Sequence, residues 1–435
     1  MVGNLRIEWV NHAGFILRGE DTVILCDPWL TGPVFNNGWE QLVPTDLTLH
    51  DFSNVTHIWF SHEHPDHFHP PSLKKLMPLL DKGVKVLFQK TLDKRLVDYF
   101  SRQGVPVEEI PSGEKRSISP TAHVTIGKNG IEDSWALFEI GGVRILNLND
   151  CLFSRRAEIT ALAKQLGKVD VLLSHFSYAE KIGNNEDTAL RERTAQYYME
   201  LVVDEAKAFS AKYIIPFASF KFFSHKENFY LNSGAATARR MHDTILGKAD
   251  GATVILYPGD VWNYGDKVDC EVAIEKYAAC ERRISPVNYA EATHTPEDLT
   301  ALSREFNVRI AKPNGGSLLF KAVCAGLPKL RVWLTDLNIA GVISVDRAFA
   351  PSKATREKCD LETSSTNIAY LYQHLYGANS LMVNGRYQAS KLGNFKLFVV
   401  SHLCLMASAN VGLTFSYVAK NALKIAMNIV YRMRG

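Results

Sequence analysis

The sequence predicts an α/β protein with a smaller C-terminal α+β domain, and three observations carry that reading. The chain opens on apolar stretches that alternate with period two across short turns, the pattern of antiparallel strands. From residue 58 onward, short apolar runs take turns with amphipathic stretches of helical period, which signals layered α/β packing. Beyond residue 265 Asp, Lys and Glu become frequent and the alternation lapses. At 435 residues two domains are expected. The division reads as residues 1–265, a linker over 266–290, and a second domain over 291–435 that ends in an apolar helical tail.

Residues 5–10, 13–17 and 22–26 form a meander that ends at Asp27-Pro28. Residues 58–60 are a buried strand, followed by a helix over 71–80 with Leu73, Leu76 and Leu80 on one side. A strand over 84–88 and a helix over 92–103 follow, the latter closed by Gly104. Strands are then expected at 123–126, 135–140, 143–148, 169–175, 212–217 and 253–257, with a long helix over 188–210. In the second domain Thr295, Pro296, Glu297 and Asp298 mark a helix start, with cap, proline and acids in their favoured places. Strands at 317–323 and 330–334, a helix at 367–374, and a strand and turn over 380–387 complete it.

The chemistry concentrates where the strand over 58–60 runs into Ser61-His62-Glu63-His64-Pro65-Asp66-His67. Successive residues of an extended strand alternate in direction, so His62 and His64 share one side. The loop can then bring Asp66 and His67 back beside them. Imidazoles with a carboxylate suit Zn, Fe or Mn, and no thiolate lies near enough in sequence for a closed Cys site. His57 and His69 stand outside the spacing and read as bystanders. His175 ends a strand, where α/β sites gather reactive groups, and is a candidate acid–base group.

The His-x-His-x-Asp-His pattern resembles the metallo-β-lactamase superfamily, which implies an αββα sandwich and a two-metal centre. Residues 27–35 with Gly38-Trp39, and again Asn149-Asp150-Cys151, Pro216-Phe217-Ala218 and Ser224-His225, are similar to the metallo-β-lactamase-like part of the CMP-N-acetylneuraminate hydroxylase family of iron monooxygenases. The resemblance implies that Asp27 orients a ligand His, that Asp150 bridges the metals, and that His225 is a further ligand. A third His usually stands between the first cluster and the bridging Asp. Here His123, Glu132 and Asp133 are the candidates, with Asp133 the best placed, just before a strand. Asn228, Tyr230 and Asn232 are loop residues within reach of a substrate. The second domain faintly resembles the sterol-carrier-like modules appended to some superfamily members; a dimerisation or lid domain accounts for it equally well.

Two reaction classes share these ligands. Two irons imply an oxygenase that hydroxylates a small molecule. This chain lacks the Cys-x-His and Cys-x-x-His pairs of a Rieske centre, so an external reductase or ferredoxin would supply electrons. Two zinc ions imply instead a hydrolase of an ester, amide or phosphodiester through a metal-bound hydroxide, with Asp66 orienting the water and His175 protonating the leaving group.

The totals narrow the setting. An apolar fraction of 46% and a charged fraction of 22% describe a globular protein with ample core. A net charge of +3 gives no reason to expect nucleic acid. Seven cysteines without CxxC spacing, and no secretory leader, point to a reducing cytoplasm. Cys26 and Cys151 read as small buried thiols. The uncharged stretch over 397–419 is long enough to span a bilayer. Its His402, Asn410 and Gly412 favour a buried or amphipathic helical pair, with peripheral membrane contact through the basic flanks as the lesser alternative. The composition allows a homo-oligomer.

Overall fold

A computed structural model describes residues 5–80, 82–91, 94–130, 133–153, 156–314, 325, 329–390 and 395–412. The meander Arg6–Asn11, Gly14–Arg18 and Val23–Cys26 continues in parallel into His57–Trp59, Lys85–Gln89 and Val107–Ile110. Val261–Asn263 joins its outer edge antiparallel, giving seven strands. A second seven-stranded sheet repeats the plan. Lys115–Ser117, Ala122–Lys128, Ser134–Ile140 and Val143–Asn147 are antiparallel, then Val171–His175, Tyr213–Phe217 and Ala252–Thr253 add in parallel.

Strand periodicity explains the layers. Ile7, Trp9, Phe15, Leu17, Ile24, Trp59 and Leu87 pack into the core shared with the second sheet. Their neighbours Ile16, Leu25, Ile58, Val86 and Phe88 face the other way, onto Leu73, Leu76 and Leu79 of helix Pro70–Leu80 and Phe100 of helix Arg95–Ser101. Helices Arg156–Leu166, Thr188–Ala208, Ala238–Ile245 and Cys270–Glu281 contribute Ile159, Val202, Met241 and Ile274 to the core on the second sheet. The result is the αββα sandwich, with both faces of each sheet covered as parallel strands require.

Three expectations are corrected. The strand expected over 253–257 is confined to Ala252–Thr253, because the chain turns at Pro258-Gly259 and crosses to the first sheet at Val261–Asn263. The expected linker contains helix Cys270–Glu281, capped by Asp269, with Ala273, Ile274 and Tyr277 in the sandwich core. Residues 377–384 are a helix, Gly377–Asn384, not a strand. Its apolar run Leu381-Met382-Val383 fits either period, and Gly385 with φ 64° supplies the left-handed helix stop.

The second domain is a five-stranded sheet packed by helices Pro296–Ala311, Ser365–Gln373, Gly377–Asn384 and Phe395–Val411 around its own core. Thr295 and Asp298 form a reciprocal capping box. In the last helix Val399, Leu403, Met406 and Ala409 are buried against this core. Among the described residues no helix is long and apolar enough to cross a membrane. The strand expected at 317–323 and the tail beyond 412 lie outside the described residues.

Candidate metal centre

The site lies where each sheet changes from antiparallel to parallel. Asp27 follows Val23–Cys26, the histidine motif follows His57–Trp59, Asp150 follows Val143–Asn147, and His175 ends Val171–His175. Carboxyl ends of strands at such a switch leave a crevice between diverging loops. Three loop residues hold left-handed backbone there: His12 at φ 35°, Asp27 at 39° and Asn149 at 52°. Such strain persists only where the surroundings hold it. The His12 carbonyl accepts from Ala218 N at 2.9 Å, and its ring stands edge-on to Trp29.

Three sets of donor atoms converge, each within 4.8 Å: His62, His64 and Asp133; His12, Asp66 and His67; and, between them, His62, His67 and Asp150. His62 Nε2 lies 2.9 Å from His64 Nδ1 and 3.9 Å from Asp133 Oδ1. His12 Nε2 and His67 Nε2 each lie 3.3 Å from Asp66 Oδ2. Asp150 Oδ2 is 3.4 Å from His67 Nε2 and 3.9 Å from His62 Nε2. His67 Nε2, Asp66 Oδ1 and Asp150 Oδ1 are buried and make no hydrogen bond. Buried polar atoms left so are costly unless a cation completes them, and imidazole with carboxylate is a donor set that binds one.

Further residues aim these donors. The buried Asp27 accepts from His67 Nδ1 at 3.1 Å, from Asn149 Nδ2 at 2.6 Å and from the Ser61 amide at 2.9 Å. Ser61 Oγ lies 2.8 Å from His62 Nδ1. Both contacts leave the Nε2 atoms facing the centre, the arrangement that fixes ligand histidines elsewhere. Glu63, between the two histidines, turns away to Arg95 Nη2 at 3.0 Å.

The electrostatics ask for positive charge. Burial lowers the His67 pKa, but Asp66, Asp150 and Asp27 outweigh it and raise the group well above its ordinary value. Burial lowers His62 well below its ordinary value, helped by His67 and His64, so it stays neutral. Burial would raise Asp150, yet His67, then His62 and His175, hold it below the usual carboxylate range. Burial pushes the Cys26 and Cys151 thiols well up, and neither belongs to a donor set. Lys221 is a cation packed among aromatic rings near this centre. Its Nζ sits 4.4 Å from the Trp39 ring centre and 3.8 Å from that of Phe223. Burial lowers it to about 7 against the pull of Asp66 and Asp150.

The structure therefore brings His62, His64, Asp66, His67, Asp133 and Asp150 together, with Asp27 behind His67. His225 is a correction. It lies instead beside Glu227, Glu291 and Arg386, because the loop after Lys221–Phe223 turns toward the second domain. His175 is also in no donor set; its Nδ1 donates to the Asn149 carbonyl at 2.7 Å. His123 stays in its strand, half-buried, and Glu132 lies outside the described residues. Asn228 is a buried strut to Gly38 O and Asn384 O, and Asn232 bonds Phe223. His12 was missed. A lone histidine in an Asn-His-Ala-Gly hairpin carries no spacing signal, and only the register of the first sheet sets it beside Asp66.

Residues 6–217 match the family described as the β-lactamase superfamily domain. Those residues form a β-lactamase superfamily domain. The chain is also 24% identical over 250 residues to the cytidine monophosphate-N-acetylneuraminic acid hydroxylase of Danio rerio, covering 53% of this chain and 40% of that protein. The Mus musculus hydroxylase is 23% identical over 286 residues, covering 60% and 48%. The chain thus spans less than half the length of these relatives. Among solved structures, CmlA, a diiron β-hydroxylase from Streptomyces venezuelae, is 17% identical over 60% of this chain and 54% of its own, at a TM-score of 0.44. Igni18, a metallo hydrolase from Ignicoccus hospitalis, is 15% identical over 61% and 100%, at 0.42.

Proposed function

We propose that this superfamily member is a dinuclear-metal enzyme and that, with two irons, it hydroxylates a small molecule using O₂. His62, His64 and Asp133 would hold one ion; His12, Asp66 and His67 the other; Asp150 would lie between. The observation that carries the choice of iron is Asp133, a carboxylate beside His62 where the superfamily pattern has a third imidazole. Three carboxylates among the donors suit oxygen-activating iron, whereas zinc is content with imidazole. The similarity to hydroxylases adds support, though their substrate does not transfer to a chain that spans under half of them.

Two irons held by these donors would supply the redox chemistry, in which O₂ with two electrons and two protons yields one hydroxylated C–H bond and one water. The residues do the rest. Asp27 fixes the tautomer of His67, and Ser61 orients the His62 ring. His175, its Nδ1 proton committed to the Asn149 carbonyl, would use Nε2 to move a proton. An external reductase or ferredoxin would deliver the electrons.

The test is reconstitution of the full chain under argon with Fe(II) or with Zn(II). The reduced iron form is expected to consume about one O₂ per two irons, and the zinc form to leave p-nitrophenyl acetate and bis-p-nitrophenyl phosphate intact. Turnover of either ester by the zinc form under argon, with no O₂ uptake by the iron form, would establish the hydrolase reading instead.

A further inference from the structure

Three consecutive residues, Phe35, Asn36 and Asn37, hold φ of 52°, 54° and 56°, a turn of left-handed helix in L-amino acids. Left-handed backbone is costly for an ordinary residue and less so for Asn. The turn closes locally through Gly38 N to Val34 O at 3.0 Å, but its outward carbonyls are held by the second domain. Asn384 Nδ2 donates to Phe35 O at 2.9 Å and Arg386 Nη1 to Asn36 O at 2.6 Å. Gly38 shows how close the contact is: a Cβ there would stand 2.4 Å from Asn384 Cβ.

Arg386 is fully buried, 0% exposed, and its fork is fully used. Nη2 meets Glu291 Oε2 at 2.6 Å, Nη1 meets Glu291 Oε1 at 2.8 Å, and Nε meets Glu227 Oε2 at 2.8 Å. Only a planar guanidinium supplies this set of donors at fixed angles.

What the turn carries faces the metal centre. The Phe35 ring stands edge-on to His64 at 6.0 Å and to Trp39 at 4.5 Å, and Trp39 in turn underlies Lys221. A second contact reaches the other flank. Tyr376 stacks under Arg95 at 3.7 Å, and Arg95 holds Glu63, between His62 and His64. Tyr376 precedes helix Gly377–Asn384 and Asn384 ends it, so one helix of 8 residues touches both flanks.

We propose that the second domain builds the outer wall of the metal centre, with Arg386 as the positioning residue that holds the Phe35–Trp39 wall and so limits access of small ligands to the His64 side. The ligand-access part rests on the metal reading above; the positioning part does not.

Two measurements on the full chain test it, with R386A and N384A. In the metal-free protein, hydrogen exchange at the Gly38, Trp39 and Ser224 amides is expected to quicken at least 10-fold in R386A, while the His57–Trp59 strand keeps its wild-type rate. In the Co(II)-loaded protein, azide is expected to associate at least 10-fold faster with R386A at unchanged cobalt content. N384A removes one of the two carbonyl bonds and is expected to do both several-fold, and it carries the test if R386A does not fold. Wild-type exchange and wild-type azide kinetics in the folded variants overturn the proposal. So does quickening that spreads equally to His57–Trp59, since that is global loosening. A wild-type chain that takes up no cobalt sinks the metal reading alone, and exchange still decides the positioning claim.

Discussion

His12 Nε2 lies 3.3 Å from Asp66 Oδ2, across 54 residues of chain. The sheet makes this contact: the hairpin between Arg6–Asn11 and Gly14–Arg18 sits over the loop that follows His57–Trp59, with Val23–Cys26 between them. His12 completes the set of Asp66 and His67, whereas the other two sets are complete without it. H12A is therefore expected to lower metal content from about two ions per chain to about one, with the circular dichroism of the fold retained. Elemental analysis that still finds two would remove His12 from the centre.

That contact also marks how far the sequence could be read. His62, His64, Asp66 and His67 were legible because their geometry is local: a strand and one turn suffice to converge them. Asp150 and Asp27 were legible through the family resemblance, which places carboxylates at these two strand ends. His12 was not, since nothing within its own hairpin distinguishes a ligand from a packed ring. His225 looked alike from sequence, a Ser-His after an apolar run, but Arg386, 161 residues away, draws it into another ionic cluster. The layering of the sandwich followed from period two. Helix Gly377–Asn384 did not, because a short apolar run buried on most sides loses its periodicity.

Asp27 gives a second test. Its two oxygens take the Ser61 amide, the Asn149 amide and the His67 ring proton, so it sets both a loop and a tautomer. D27A should weaken metal binding by about 10–100-fold, the usual cost of losing the partner behind a ligand histidine. Competition against a chelator of known affinity measures this. Unchanged affinity would mean that the loop alone aims His67.

Lys221 offers a pH measurement. Burial lowers it to about 7, so near neutral pH roughly half its amines are uncharged, while an ordinary lysine stays protonated until about 10. Cyanate reacts only with the neutral amine. Peptide mass spectrometry should show Lys221 carbamylated at least 10-fold faster than exposed lysines at pH 7, with a half-point near 7. Bound metal should shift that half-point lower, because it cancels the Asp66 and Asp150 charges that favour the ammonium. A half-point near 10 would mean that the aromatic surround leaves the ammonium well solvated.

Glu205 gives the opposite slope. It lies on helix Thr188–Ala208, 0% exposed, with Oε2 accepting from Ser174 Oγ at 2.6 Å and Oε1 without a partner. Burial pushes its carboxyl up to about 8, against the lowering effect of the Ser174 bond. The folded chain thus keeps this proton up to about pH 8, whereas the unfolded chain releases it near 4.5. The folded state binds more protons across that window, so stability is full below it and falls as pH rises through it. The loss should be on the order of 3 kcal/mol between pH 5 and pH 8.5, read as a lower urea midpoint. E205Q carries no proton to lose and should flatten the profile, leaving the variant the more stable of the two at pH 8.5. Parallel profiles for wild type and E205Q would show that the carboxyl is already ionised inside the fold.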